Sequence, residues 1–191
     1  DGLTITANLL ADPKLSRDHI PVILNLWREY APAGVAAADL DRIGTQGTVA
    51  ARTATAAYLV DHSRVDAAAG VAANLRGADR VALDAGIAVK RREWDKALSL
   101  ANSVLEEDET HCLALTVRSE VRLHTGNLQG ALRSAQEAVS QCPSQTWPWR
   151  LAATSYSRRG DVENAKRLWR QGIEANRQNS EIAAQAIGWL E

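Results

Sequence analysis

The sequence predicts an all-α chain of antiparallel helix hairpins stacked into an α-solenoid, and three observations carry that expectation. A motif returns every 34 residues, apolar residues within each period fall at helical spacing, and no segment alternates as a strand would. Ala97, Ala131 and Ala165 lie 34 residues apart, as do Gly126 and Gly160. Recurrence on this scale marks a repeat array, because one hairpin cannot bury its apolar faces alone and must stack on the next. Arg92 to Ala97, Gly126 to Ala131 and Gly160 to Ala165 each read as a turn entering a helix. Asn127 and Asp161 are suited to cap the helices that follow. Gly126 and Gly160 can take the positive φ that ends the preceding ones. Leu128, Leu132, Ala135 and Val139 recur on one helical face, as do Ala165, Leu168, Trp169 and Ile173.

The pattern inside the period resembles the tetratricopeptide repeat (TPR) family. That family places a bulky residue at position 4, a small one at 8, an aromatic at 11, Gly at 15, Ala at 20, an aromatic at 24, Ala at 27 and Pro at 32. Residues 146–179 supply Trp149, Ala153, Tyr156, Gly160, Ala165 and Trp169, departing with Gly172 for Ala and Arg177 for Pro. Residues 112–145 supply Leu115, Ser119, Gly126, Ala131, Ala138 and Pro143, with Arg122 and Ala135 where aromatics are usual. Residues 78–111 are looser: Val81, Ala85, Ala97 and Val104 fit, and Arg92 replaces the turn glycine. The resemblance implies a TPR-like right-handed superhelix and a protein-binding role, with no specific activity attached.

Around residues 78–179, most of the chain also reads as helix. Residues 180–191 form a closing helix, with Ser180 as a plausible N-cap and Ile182, Ala183, Ala186, Ile187 and Leu190 on its apolar side. Residues 46–77 form a shortened, degenerate pair, 48–60 and 64–75, turning at Asp61-His62-Ser63 with Ala68 at the small position. In the N-terminal helical segment, 1–45, residues 17–30 make an amphipathic helix. Ile20, Ile23, Leu24 and Trp27 share one face, and Pro21 sits in the first turn, where proline is tolerated. Pro32 and Gly34 interrupt the chain, residues 35–43 can form a short helix, and residues 1–16 receive no assignment.

Composition narrows the function. The 191 residues carry a net charge of −1, which favours neither nucleic acid nor an anionic membrane. No apolar run approaches the roughly 20 residues that span a bilayer, and the start lacks the pattern of a signal peptide. The basic pairs Arg91-Arg92 and Arg158-Arg159 are offset by Glu106-Glu107-Asp108-Glu109 and read as solvated helix ends. His111, Cys112, His124 and Cys142 fit no zinc spacing, so no metal or cofactor is expected. No nucleophile with an orienting base and an oxyanion feature can be named, so the chain is not expected to be an enzyme.

The resemblance puts the first helix of each repeat on a concave wall. Its outward positions are then Asp79, Ala82, Gly86, Val89 and Lys90, next Leu113, Thr116, Glu120, Leu123 and His124, and last Trp147, Arg150, Thr154, Ser157 and Arg158. Lys90, Glu120, His124, Trp147, Arg150, Thr154 and Arg158 are the partner-binding candidates: a mixed groove with two arginines able to fork onto a carboxylate. The bland reading is a solvated helix face. Ala82 and Gly86 stand where some TPR domains carry a carboxylate clamp, so that specialisation is rejected. Trp149 falls at a packing position. Trp147 should be less buried, either a hot spot or packed on the preceding loop.

In repeat numbering Cys112 and Cys142 take positions 1 and 31, neighbours at one edge of the array. They are either a disulfide or two small, partly buried thiols. A bridge would imply an oxidising compartment. The chain is expected to be soluble, its compartment open between cytoplasm and periplasm with a lean to the periplasm, and the cysteines are the only argument for export. The expected function is a non-catalytic module that binds a protein or peptide, within a larger assembly that the Ala-, Arg- and Asp-rich composition marks as bacterial. By analogy that assembly serves secretion, the envelope or polysaccharide export. A self-assembling scaffold and the recognition domain of a larger enzyme are the alternatives.

Overall fold

The computed structural model describes residues 2–30, 35–177 and 179–190, and every regular element among them is helical. Three helices come first: α1 (Gly2–Ala11), α2 (Ile20–Tyr30), entered through a 3-10 turn at Arg17–His19, and α3 (Ala37–Gln46). A short pair follows, α4 (Val49–Asp61) and α5 (Val65–Val71), the latter ending in a 3-10 turn at Ala72–Asn74. Three hairpins of near-equal arms come next: α6 (Gly77–Lys90) with α7 (Trp94–Glu107), α8 (Cys112–His124) with α9 (Leu128–Gln141), and α10 (Thr146–Arg158) with α11 (Val162–Ala175). Helix α12 (Ser180–Leu190) ends the stack. The interruption expected at Pro32 and Gly34 lies outside the described residues.

The turns form where the sequence supplies their chemistry. Asn127 accepts a hydrogen bond from the Gly130 backbone N–H, and Asp161 accepts one from Asn164, so α9 and α11 are each capped. Gly126 and Gly160 sit at φ 84° and 80°. The equivalent turn into α7 holds Arg92 at φ 62°, where an L side chain is strained. For α12 the cap is Asn179 instead of Ser180, whose side chain lies outside the described residues. The Asn179 carboxamide oxygen accepts from the N–H groups of Glu181 (3.1 Å) and Ile182 (3.2 Å), and its amide donates to Ser144 O.

Within each hairpin the crossing is tight because the residue there is small. Ala97, Ala131 and Ala165 are all fully buried. The α8–α9 pair lacks the aromatics of its neighbour and compensates with hydrogen bonds. Ser119 Oγ donates to Ala131 O (2.8 Å), and Arg118 and Arg122 both donate to Ser134 Oγ at 3.0 Å. The Gly172 departure has a steric cause: a Cβ there would lie 3.2 Å from the Trp149 ring.

The N-terminal segment folds onto the array. Trp27 is fully buried, donates to Thr6 Oγ1 of α1 (2.7 Å), and meets Tyr58 of α4 edge-on. Helix α2 packs on both α4 and α12 and so links the two ends of the stack. Helix α1 escapes the sequence reading because its apolar positions do not form a periodic stripe. It is buried through Ala7, Leu10 and Ala11 against α2 and α3.

Replacing Arg92 by Gly is expected to raise stability by about 0.5–1 kcal/mol, and Gly126→Ala to lower it by about 1 kcal/mol. Urea denaturation of both variants checks the pair. Equal midpoints would mean that neither turn is held at positive φ.

Candidate functional site

Helices α4, α6, α8 and α10 lie side by side and form the inner layer of the array. The expectation of an open concave wall needs correction. Ala82, Gly86, Val89, Leu113, Thr116 and Leu123 are buried. The small residues are the reason: they let neighbouring inner helices touch directly. A Cβ on Gly86 would come within 3.1 Å of Val60 on α4. The layer also curls until its ends meet. Arg150 of α10 pairs with Asp61 at the end of α4, 3.1 Å away across 89 residues of sequence.

Trp147 is also corrected: it is 2 % exposed, more enclosed than Trp149 at 5 %. The curl brings other charged candidates onto it. Its indole Nε1 donates to Glu120, and the Lys90 ammonium sits 4.3 Å from the ring centroid. His124 Nε2 lies 4.0 Å from the other Glu120 oxygen, and the His124 ring stacks on Trp94 at 4.5 Å. The buried carboxylate of Glu120, 8 % exposed, therefore has an indole donor on one oxygen and an imidazole beside the other, while Lys90 covers the indole.

The structure thus gathers Lys90, Glu120, His124 and Trp147 into one cluster and sends Arg150 to Asp61 instead. Arg158 donates to Leu123 O (3.2 Å) from an exposed position, and Thr154 is half-buried. The solvent-facing parts of this set are His124 and Arg158, at the C-terminal ends of α8 and α10. Asp61 and Trp94 complete the arrangement and were not among the sequence candidates. Trp94 could have been found, since it opens the helix after the turn at Arg92. Nothing local marks Asp61 as the partner of a residue so far along the chain.

At the opposite edge the structure joins Cys112, the first residue of α8, to Cys142, just past α9, in a disulfide. Their Cα atoms are 6.1 Å apart, inside the range a bridge allows. Beside it, Trp149 Nε1 donates to Pro143 O (2.8 Å), so the turn into α10 is tied from both sides.

A family model described as ChAPs (Chs5p-Arf1p-binding proteins) matches residues 51–168, more than half of the chain, from within α4 into α11. No curated protein matches the sequence.

Trp147→Phe removes the donor from a buried carboxylate and is expected to cost about 1–3 kcal/mol. A second change, Glu120→Gln, should recover part of that loss, and chemical denaturation of the three variants reads the coupling. Reduction of the disulfide is expected to remove about 3–4 kcal/mol in the chain-entropy account of a loop this long. Thiol titration of the denatured, unreduced protein checks the premise: two free thiols would mean the bridge is not formed.

Proposed function

The chain belongs to the ChAPs family, the Chs5p-Arf1p-binding proteins, and we propose that it is a non-catalytic module that holds partner proteins. The observation that carries this reading is the coincidence of two extents. The matched residues, 51–168, cover nearly all of the hairpins that form the inner layer and leave out the N-terminal segment and α12. The partners we assign are proteins of the Chs5p and Arf1p kinds, as the family description names them. That description lends no support to the bacterial or periplasmic setting expected above. Among the described residues no helix is long and apolar enough to cross a membrane.

In this reading the hairpins are of tetratricopeptide type, divided as 78–111, 112–145 and 146–179, with 46–77 a degenerate pair, 1–45 an N-terminal segment and 180–191 a closing helix. The turn glycines at positive φ, the buried Ala97, Ala131 and Ala165, and the 34-residue spacing support that division. The contact surface lies at the ends of the inner helices. His124 and Arg158 meet the partner there, beside Thr154, while Lys90, Glu120, Trp147 and Arg150 hold the wall in shape.

Self-assembly is the alternative with an observation in its favour. Val22 and Leu26 on one face of α2, and Ile187 on α12, are exposed aliphatic side chains. Light scattering of the purified chain separates the two readings, since a scaffold grows with concentration.

The direct measurement is calorimetric titration of the purified chain with purified Chs5p and Arf1p. Binding to at least one is expected, weakened tenfold or more by His124→Glu with Arg158→Glu, while the melting temperature stays within a few degrees. A folded chain that binds neither would remove the proposal.

A further inference from the structure

The inner layer is closed at its centre but open at the end where the inner helices begin. There a cleft of about 410 Å³ runs between the start of α2, the start of α4 and the loop leading into α8. This is within the size range of built ligand pockets. Its walls are aliphatic: Ile20 and Pro21 from α2, Val49, Ala50 and Ala54 from α4, and Leu113 from α8. Its mouth is polar and carries two carboxylates against one guanidinium, that of Arg17. Asp79, in the first turn of α6, and Asp108, just past α7, both line it. Glu106, Glu107 and Glu109 stand exposed on the adjoining chain.

These five carboxylates are not neutralised from within. Among the described residues, none of them forms an ion pair with a lysine or arginine. Asp79 faces His111 Nε2 at 3.4 Å. His111 Nδ1 faces the Ala114 backbone N–H at 3.4 Å as the cap of α8, so Nε2 is the ring nitrogen turned to Asp79. Asp108 accepts from the Thr110 hydroxyl (2.7 Å) and N–H (3.0 Å), and those bonds hold its carboxyl below the ordinary value, so it stays charged. Arg17 is the cation in the cleft wall, and it is exposed. The opposing arginines Arg91, Arg92, Arg158 and Arg159 sit at the other ends of α6 and α10. A 14-residue helix is about 21 Å long, beyond the roughly 8–10 Å over which solvent-exposed charges act in physiological salt. Among the Asp, Glu, Lys and Arg residues that line the cleft, Asp79 and Asp108 outnumber Arg17. Arg76 and Arg80, at the same end of α6, are turned to the carbonyls of Ala72, Ala73 and Leu75 and to Asp84.

We infer that the cleft is a docking site for a short polypeptide segment that carries lysine or arginine next to aliphatic side chains. The aliphatic walls take the apolar side chains, and the acidic mouth takes the cations. A small organic cation would fill the cleft yet leave the carboxylates of Glu106, Glu107 and Glu109 unused, because they lie outside it. A chain running out over the loop meets both. Nucleic acid and anionic lipid are disfavoured here by the same charge. This inference goes beyond the proposed function: it concerns the opposite end of the inner helices from His124 and Arg158, and it does not depend on which protein supplies the segment.

The test uses the full chain and a fluorescein-labelled peptide, Gly-Lys-Leu-Lys-Val-Lys-Gly, read by fluorescence polarisation. Saturable binding is expected, with tenfold or greater loss when glutamate replaces the peptide's lysines or serine replaces its leucine and valine. Ala50→Trp, which fills the cleft, should abolish binding. Asp79→Asn with Asp108→Asn, on the accessible mouth, should weaken it at least tenfold without depending on how well the wall tolerates a large residue. No binding by the folded wild-type chain, or binding that tracks peptide charge alone and ignores Ala50→Trp in a variant that melts normally, overturns the inference. Titration of Chs5p and Arf1p against the same variants keeps the two proposals apart. Peptide capture without either protein supports the cleft alone. Loss of protein binding only in the His124 and Arg158 variants supports the other surface alone.

Discussion

Close approach of paired helices at Ala97, Ala131 and Ala165 is the constraint on which this architecture depends. With no side chain beyond Cβ at the crossing, each outer helix settles into its partner, and the larger residues are pushed outward to meet the next pair. The same economy acts between inner helices, where Ala82 and Gly86 let α4, α6 and α8 touch. A solenoid whose inner helices stood further apart would leave a wide groove. This one tightens until Asp61 and Arg150 pair across its two ends and the indole of Trp147 is sealed beneath Lys90.

The parts of the fold that were legible in the sequence are those fixed within one period. Asn127 caps α9 and Gly126 turns into it because both act on backbone groups a few residues away. The same locality explains why Arg92 could be placed in a turn although it is not a glycine: the register came from the alanines around it. What was not legible depends on curvature, which sums small rotations over several hairpins. Trp147 looked half-open from its place on one helix and is closed by residues two hairpins away. Asp61, Arg150 and the packing of α2 against α12 belong to the same class. For α1 the obstacle was different: a short helix with apolar residues around most of its circumference gives no periodic stripe to read.

Charge shows the difference between a sum and a distribution. A net charge of −1 and an acidic run set against two arginine pairs read as mutual cancellation. In a hairpin array, though, the turns that end inner helices all fall on one edge, and the loops that begin them fall on the other. Residues that neutralise one another in the composition are separated by the length of a helix. Each edge can therefore face a partner of its own sign preference, which a globular arrangement of the same residues would not guarantee. Binding two different proteins, as the family description states of its members, is compatible with such a two-edged layout.

The Cys112–Cys142 bond has a mechanical consequence. It closes the chain around the α8–α9 hairpin, in the middle of the three long hairpins. If the two termini are drawn apart, neighbouring hairpins can peel away one after another, as expected of an array held by nearest-neighbour contacts. The segment inside the bond carries no tension and cannot lengthen. At about 3.3–3.6 Å per extended residue, the oxidised chain reaches a full extension roughly 100 Å shorter than the reduced one. Oxidation thus sets how far this molecule can stretch.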